Sequence, residues 1–157
     1  MSDSPLDTIL PKMQRTHEKL LAYLATLDDA TANRRLQSDH GEHWSPREIV
    51  GHLTDAERAH RRFMEAVVAG NPPAKLEGFD LDAWNAGRVA KRAGQTLAEL
   101  IAAFEAERAA TLDFLATVPP DAWPRRGYHA ALGDMSVEDV ARIIGLHERM
   151  HLQEMLG

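Results

Sequence analysis

Apolar residues return every three or four positions in four separate stretches of this chain, and nowhere do they alternate over a useful length. That property argues against a sheet-built core and for helices packed on helices. The first stretch holds Leu6, Ile9, Leu10, Met13, Leu20, Leu24 and Leu27 behind Ser4-Pro5, a capping residue before a proline suited to a first turn. It predicts a helix over roughly residues 5–28. The second opens at Ser45-Pro46-Arg47-Glu48, a capping box with proline at the first helical position. It runs through Ile49, Leu53, Ala56, Phe63, Met64 and Val67 and stops at Gly70-Asn71-Pro72-Pro73. The third begins at Thr96, with Glu99 closing a box, and carries Leu97, Leu100, Ile101, Phe104, Thr111, Leu112 and Leu115 to a stop at Val118-Pro119-Pro120. The fourth begins at Ser136 with Asp139 three residues on, and its apolar face is Val137, Val140, Ile144 and Met155.

The remainder reads as connections. Asp28 to Glu42 is polar, with Asn33, Asp39 and Gly41, and Asp121 to Asp134 is a loop. Residues 74–94 form a long crossover with one helical turn around Leu81 to Val89, and a connection of that length often helps to form a site. The expected fold is all-α: one domain over residues 1–157, an antiparallel four-helix bundle with a long crossover between its second and third helices.

Composition narrows the function. The net charge is -6 with acids and bases interleaved, so no basic patch invites nucleic acid. Cysteine is absent, which excludes disulfides, a protein thiolate nucleophile and Cys-ligated zinc, and fits a cytoplasmic location. The first residues lack the basic-then-apolar pattern of a signal peptide. No run reaches the roughly 20 apolar residues of a membrane span.

The eight histidines are separated by position. His147 and His151 stand four apart in the last helix, and on a helix that spacing puts both imidazoles on one face, about 6 Å apart along the axis. They flank the face made by Val140 and Ile144, so they point partly inward. Such a pair can grip one divalent ion, or it can be plain surface or interface histidine. The segment His147-Glu148-Arg149-Met150-His151 also matches H-E-x-x-H, the zinc protease pattern. Many such proteases take a third ligand downstream, and only Glu154 is available there, so a third ligand has to come from upstream. His52 is the best candidate, on the flank of the second helix's core face. His60 falls nearer the middle of that face and reads as a hydrogen-bonded core histidine. His17 lies on the first helix, His40 and His43 before the second, and His129 before the fourth.

The stretch Trp44-Ser45-Pro46-Arg47-Glu48-Ile49-Val50-Gly51-His52-Leu53 resembles the W-S-x-x-E-[IV]-x-x-H-L signature of the DinB-like (DinB/YfiT) family, and His147 and His151 match that family's second signature, H-x-x-x-H near the C-terminus. The resemblance covers nearly the whole chain. It implies a four-helix bundle holding one divalent metal ion per chain on three histidines, here His52, His147 and His151. Zinc or nickel is the first expectation, manganese or iron the next. It also implies an activity like that of relatives that use low-molecular-weight thiols for S-transfer or isomerisation, and a homodimer. Where relatives continue H-[RK]-G-Q, this chain has His151-Leu152-Gln153-Glu154.

Around that trio the sequence offers helpers. Asp55 and Glu148 are candidate acceptors or proton shuttles, or ordinary surface carboxylates. Arg108 sits in the middle of the third helix's apolar face and needs a partner, which Glu148, an anionic substrate or the rim solvent would supply. Trp44, Trp84 and Trp123 line a pocket or pack helix ends, and Met13, Met64 and Met155 fill core. Two functions follow: a metal-dependent enzyme, either a thiol S-transferase or a hydrolase acting on a small molecule, and a non-catalytic stress-related or binding bundle whose metal is structural or vestigial. An incomplete shell of three histidines favours the first; a fourth ligand from Asp55 or His60 would favour the second.

Overall fold

In the computed structural model, residues 4–37 and 43–157 are described. Among them the chain forms α1 (Leu6–Leu24), α2 (Asp29–Ala32), α3 (Pro46–Val68), α4 (Leu81–Lys91), α5 (Leu97–Leu115), β1 (Arg126–His129), β2 (Gly133–Ser136) and α6 (Val137–Leu156). His40, with Asp39, Gly41 and Glu42 of the expected connection, lies outside the described residues, as do Met1 to Asp3.

The caps account for the helix starts. Ser45 Oγ accepts from the Glu48 N–H at 3.2 Å, and the Ser45 N–H donates to the Glu48 carboxylate at 3.1 Å. Ser136 and Asp139 form the same reciprocal pair, both bonds at 3.0 Å. At α5 only half of the expected box forms. Thr96 Oγ1 accepts from the Glu99 N–H at 3.1 Å, but the Glu99 carboxylate takes the Thr96 hydroxyl instead of its backbone N–H. The first helix ends at Leu24, short of residue 28, because Asp28 caps the separate turn α2 through the Thr31 N–H.

Two connections are more ordered than their sequences suggest. The single turn expected near Leu81 is an 11-residue helix, α4, capped by Asp80 and tied to α3 by ion pairs from Arg88 and Arg92 to Asp55. The loop before α6 contains an antiparallel hairpin, with His129 opposite Gly133 and Gly127 opposite Met135. Strands of four residues are too short to show alternation, so the reading without strands missed them. Gly127 is what lets the hairpin dock: a Cβ there would stand 3.0 Å from Val67 and 3.2 Å from Phe63 at the end of α3.

The long crossover decides helix directions. Gly51 faces Leu100, Glu57 meets Arg108, and Arg61 reaches the Glu107 carbonyl and Thr111, so α3 and α5 run the same way. Thr8 meets Arg142, His17 meets Glu148 and Tyr23 meets the Met155 carbonyl, so α1 and α6 also run together. Antiparallel packing joins α3 to α6, where His52 approaches His151 and His60 approaches His147. The core divides into two apolar clusters. One centres on Met13, Phe63, Met64, Leu115, Val140 and Ile144, the other on Leu20, Leu24, Ile49, Leu53, Leu100 and Leu152. Between them in sequence, each of the four long helices contributes one polar residue to a single layer: His17, Glu57, Arg108 and Glu148.

Candidate metal centre

The capped start of α3 puts His52 almost two turns inside that helix, and α6 brings His147 and His151 to face it. Their Nε2 atoms converge: His52 to His147 is 3.1 Å, and His151 to His147 is 3.1 Å. The ligand atoms of the trio all lie within 4.8 Å of one another, the only such grouping of at least three metal-ligating side chains among the described residues. With metal–nitrogen bonds of 2.0–2.1 Å, two ligands sit about 2.9 Å apart at adjacent octahedral positions and about 3.3 Å apart in a tetrahedron. The 3.1 Å spacings of these two pairs lie between these values, the range a first-row divalent ion needs.

The protonation of these rings favours that use. Burial, helped by the neighbouring histidines, pushes His52 down to about 2. Burial likewise pushes His147 down to about 4. Both are therefore neutral, the form that ligates. Trp44 packs against His52 with 4.8 Å between ring centroids, and Glu154 Oε2 lies 3.4 Å from His151 Nδ1, the carboxylate–histidine arrangement that orients a ligand.

Next to His147 lies the buried polar layer. Arg108 grips Glu57 through Nε at 3.0 Å and Nη2 at 2.8 Å, and the same Nη2 reaches Glu148 at 2.6 Å. Burial would lower the guanidinium pKa, but the bonds and charges of Glu57 and Glu148 leave it raised. Glu148 also accepts from His17 Nδ1 at 2.7 Å, and His17 Nε2 meets Glu105. Burial alone would lower His17; the Glu148 bond and charge outweigh it, and with both ring nitrogens facing carboxylates the imidazolium is favoured.

The sequence-expected helpers thus separate. Glu148 is brought beside the trio, with both oxygens already engaged by His17 and Arg108. Arg108 is inward and paired with Glu148, one of its expected partners, while Glu57, its bidentate partner, was not singled out by its own helix pattern. Asp55 is not given to the histidine cluster: Arg92 and Arg88 take its oxygens, and those bonds hold its carboxyl below the usual range against the effect of burial. His60 is buried and bonded to His129 across 2.9 Å. Trp123 packs in the core with Met13 and Met64, and Met155 fills the second cluster. A wider groove of about 460 Å³ runs between α1 and α6, lined by Lys12, Arg15, Lys19 and Arg149 and by none of His52, His147 and His151. Volume alone does not mark this centre; convergent donors do.

Residues 12–155 match the model of the DinB superfamily. No curated protein matches by sequence. Among solved structures, YfiT from Bacillus subtilis, described as a probable metal-dependent hydrolase with an unusual four-helix bundle topology, superposes with a TM-score of 0.77 at 18% identity over 96% of this chain and 83% of its own. An uncharacterised protein from Escherichia coli UTI89 superposes with a TM-score of 0.78 at 12% identity, covering 99% of this chain and 92% of its own. A mycothiol-dependent maleylpyruvate isomerase superposes at 0.72 and 13% identity over 98% of this chain, which spans 63% of the isomerase's length.

Proposed function

The chain belongs to the DinB superfamily, and from that premise we propose that it is a divalent-metal-dependent enzyme that activates a low-molecular-weight thiol for transfer to a small electrophile. The observation that carries the reading is the convergence of His52, His147 and His151 through three Nε2 atoms. A zinc, nickel, manganese or iron ion would be held by His52, His147 and His151 and would supply Lewis acidity, the chemistry that raises the nucleophilicity of a thiol or water at neutral pH. The protein's own residues hold the His52 and His147 imidazoles neutral by burial, orient His151 against Glu154, and keep Glu148 fixed beside His147 through Arg108 and His17. With no cysteine in the chain, a thiol nucleophile has to be exogenous, and the mycothiol dependence of one structural relative supports that choice. Hydrolysis, the activity attributed to YfiT, is the second reading of the same centre.

Asp55, which could have closed the shell as a fourth ligand, is committed to two arginines, and this supports open coordination positions for substrate over a purely structural ion. We take the protein to act as a homodimer, which light scattering tests. The decisive measurement is elemental analysis after gentle purification. We expect about one divalent ion per chain, lost in His52→Ala, as a single bound ion on three ligands requires. Protein that neither retains nor takes up metal ends the proposal. A screen of thiols with activated electrophiles and of simple esters then separates transfer from hydrolysis.

A further inference from the structure

His60 and His129 lie outside the ligand trio, and their hydrogen bonds assign their protons. The backbone N–H of Ala131 donates to His129 Nδ1 at 3.1 Å. A peptide N–H can only donate, so that Nδ1 carries a lone pair and the ring proton is on Nε2. His129 Nε2 lies 2.9 Å from His60 Nδ1 and therefore donates to it. The proton of His60 is then on its own Nε2. Both rings are neutral by this geometry, and burial, which pushes His60 down to about 3 and lowers His129, agrees with it.

The Nε2–H of His60 is not used by that bond. Its ring stands edge-on to His147, 6.2 Å between centroids. The two rings line one cavity of about 10 Å³, room for about one water, together with Glu57, Glu148 and Phe104.

We propose that His60 is a fixed hydrogen-bond donor of this centre, one that selects an acceptor oxygen in the bound molecule. The proposal rests on the metal-dependent reading above. A ring locked by its neighbour cannot turn its Nε2 into an acceptor, nor ligate an ion through it, without giving up its proton. It discriminates accordingly: a carboxylate or carbonyl oxygen beside His147 gains a bond, whereas an N–H or O–H presented there meets another donor. A donor whose tautomer is already set costs no rearrangement of its proton when the acceptor arrives.

Two measurements test this. Long-range nitrogen–proton NMR on metal-free and zinc-loaded protein at neutral pH is expected to show both rings neutral with the proton on Nε2, and His129→Phe is expected to mix the tautomers of His60. A His60 ring carrying its proton on Nδ1, or doubly protonated, overturns the assignment whether or not the protein holds metal. The second probe is acetate, titrated into cobalt-loaded protein and followed in the visible spectrum. One charge-assisted hydrogen bond corresponds to about tenfold in affinity, so His60→Phe is expected to weaken acetate by about that factor with unchanged cobalt content, and His60→Gln, whose amide donor replaces Nε2–H, to restore most of it. Equal acetate affinity in wild type and His60→Phe at equal cobalt content overturns the donor role. Failure of wild type to load cobalt instead strikes the metal-dependent reading itself, leaving the tautomers to be judged by NMR.

Discussion

A single buried cation answers for two acids in this protein. Arg108 was legible in the sequence as a charge in the middle of an apolar helix face, and a charge there requires a partner. Glu57 was not legible, because on its own helix it reads as one more solvated carboxylate; only the parallel packing of α3 on α5 buries it against Arg108. His17 was invisible for the same reason: its partners, Glu148 and Glu105, sit 131 and 88 residues away. The arrangement has a measurable consequence. Arg108→Met leaves Glu57 and Glu148 without their shared guanidinium, and breaking a buried pair in this way costs about 3–5 kcal/mol. We expect urea denaturation to show that loss, and Glu57→Gln added to Arg108→Met to recover a substantial part of it. An Arg108→Met protein as stable as wild type would mean that the layer is hydrated and its charges are screened.

At the scale of elements, the helices with clear capping boxes were read with sound starts, and what escaped was whatever depends on a neighbour. The crossover helix α4 has weak apolar periodicity, so its sequence suggests little more than a turn; its order comes from Asp80 at its start and from Arg88 and Arg92 reaching Asp55 on α3. The hairpin escaped because its docking rests on Gly127 meeting Val67 and Phe63, a tertiary fit no local pattern records. Asp55 is thus a tie between elements. Asp55→Asn weakens charge-assisted bonds worth about 1.5–3 kcal/mol each in favourable cases, less for Arg88, which is partly exposed. We expect faster amide exchange across Leu81–Lys91 with metal content unchanged. Loss of the metal together with that order would make Asp55 part of the ion's shell after all. The cap matters at this scale too: Ser45→Ala should cost about 1 kcal/mol and fray the turn that precedes His52.

Across the whole molecule, the proposed ion would join α3 and α6, two helices far apart in sequence, which makes stability a reporter of the site. A ligand bound only by the folded state adds about 2.7 kcal/mol at a free concentration of 100 times its Kd. We therefore expect chelation to lower the melting temperature of wild type and to leave His147→Ala unchanged.

Acidity is a second whole-molecule reporter, and its sign follows from the histidines. In the metal-free folded chain burial holds His52 near 2, His60 near 3 and His147 near 4, while in the unfolded chain each returns to about 6.5. Below about 6.5 the unfolded state binds more protons than the folded one, so stability is full above that pH and falls as the pH drops toward the folded values. His17 acts oppositely. Its pKa is raised on folding, so its contribution is present in acid and is lost as pH rises through the folded value. Four lowered rings, His129 being the fourth, against one raised ring predict a melting temperature that falls steeply below about pH 6.5 and declines gently above neutrality. His60→Gln should flatten the acid arm and His17→Gln the alkaline one, each read by thermal denaturation of metal-free protein between about pH 4 and 9. An acid arm that survives unchanged in His60→Gln would mean that this ring titrates normally in the fold, and the burial assigned to it would be wrong.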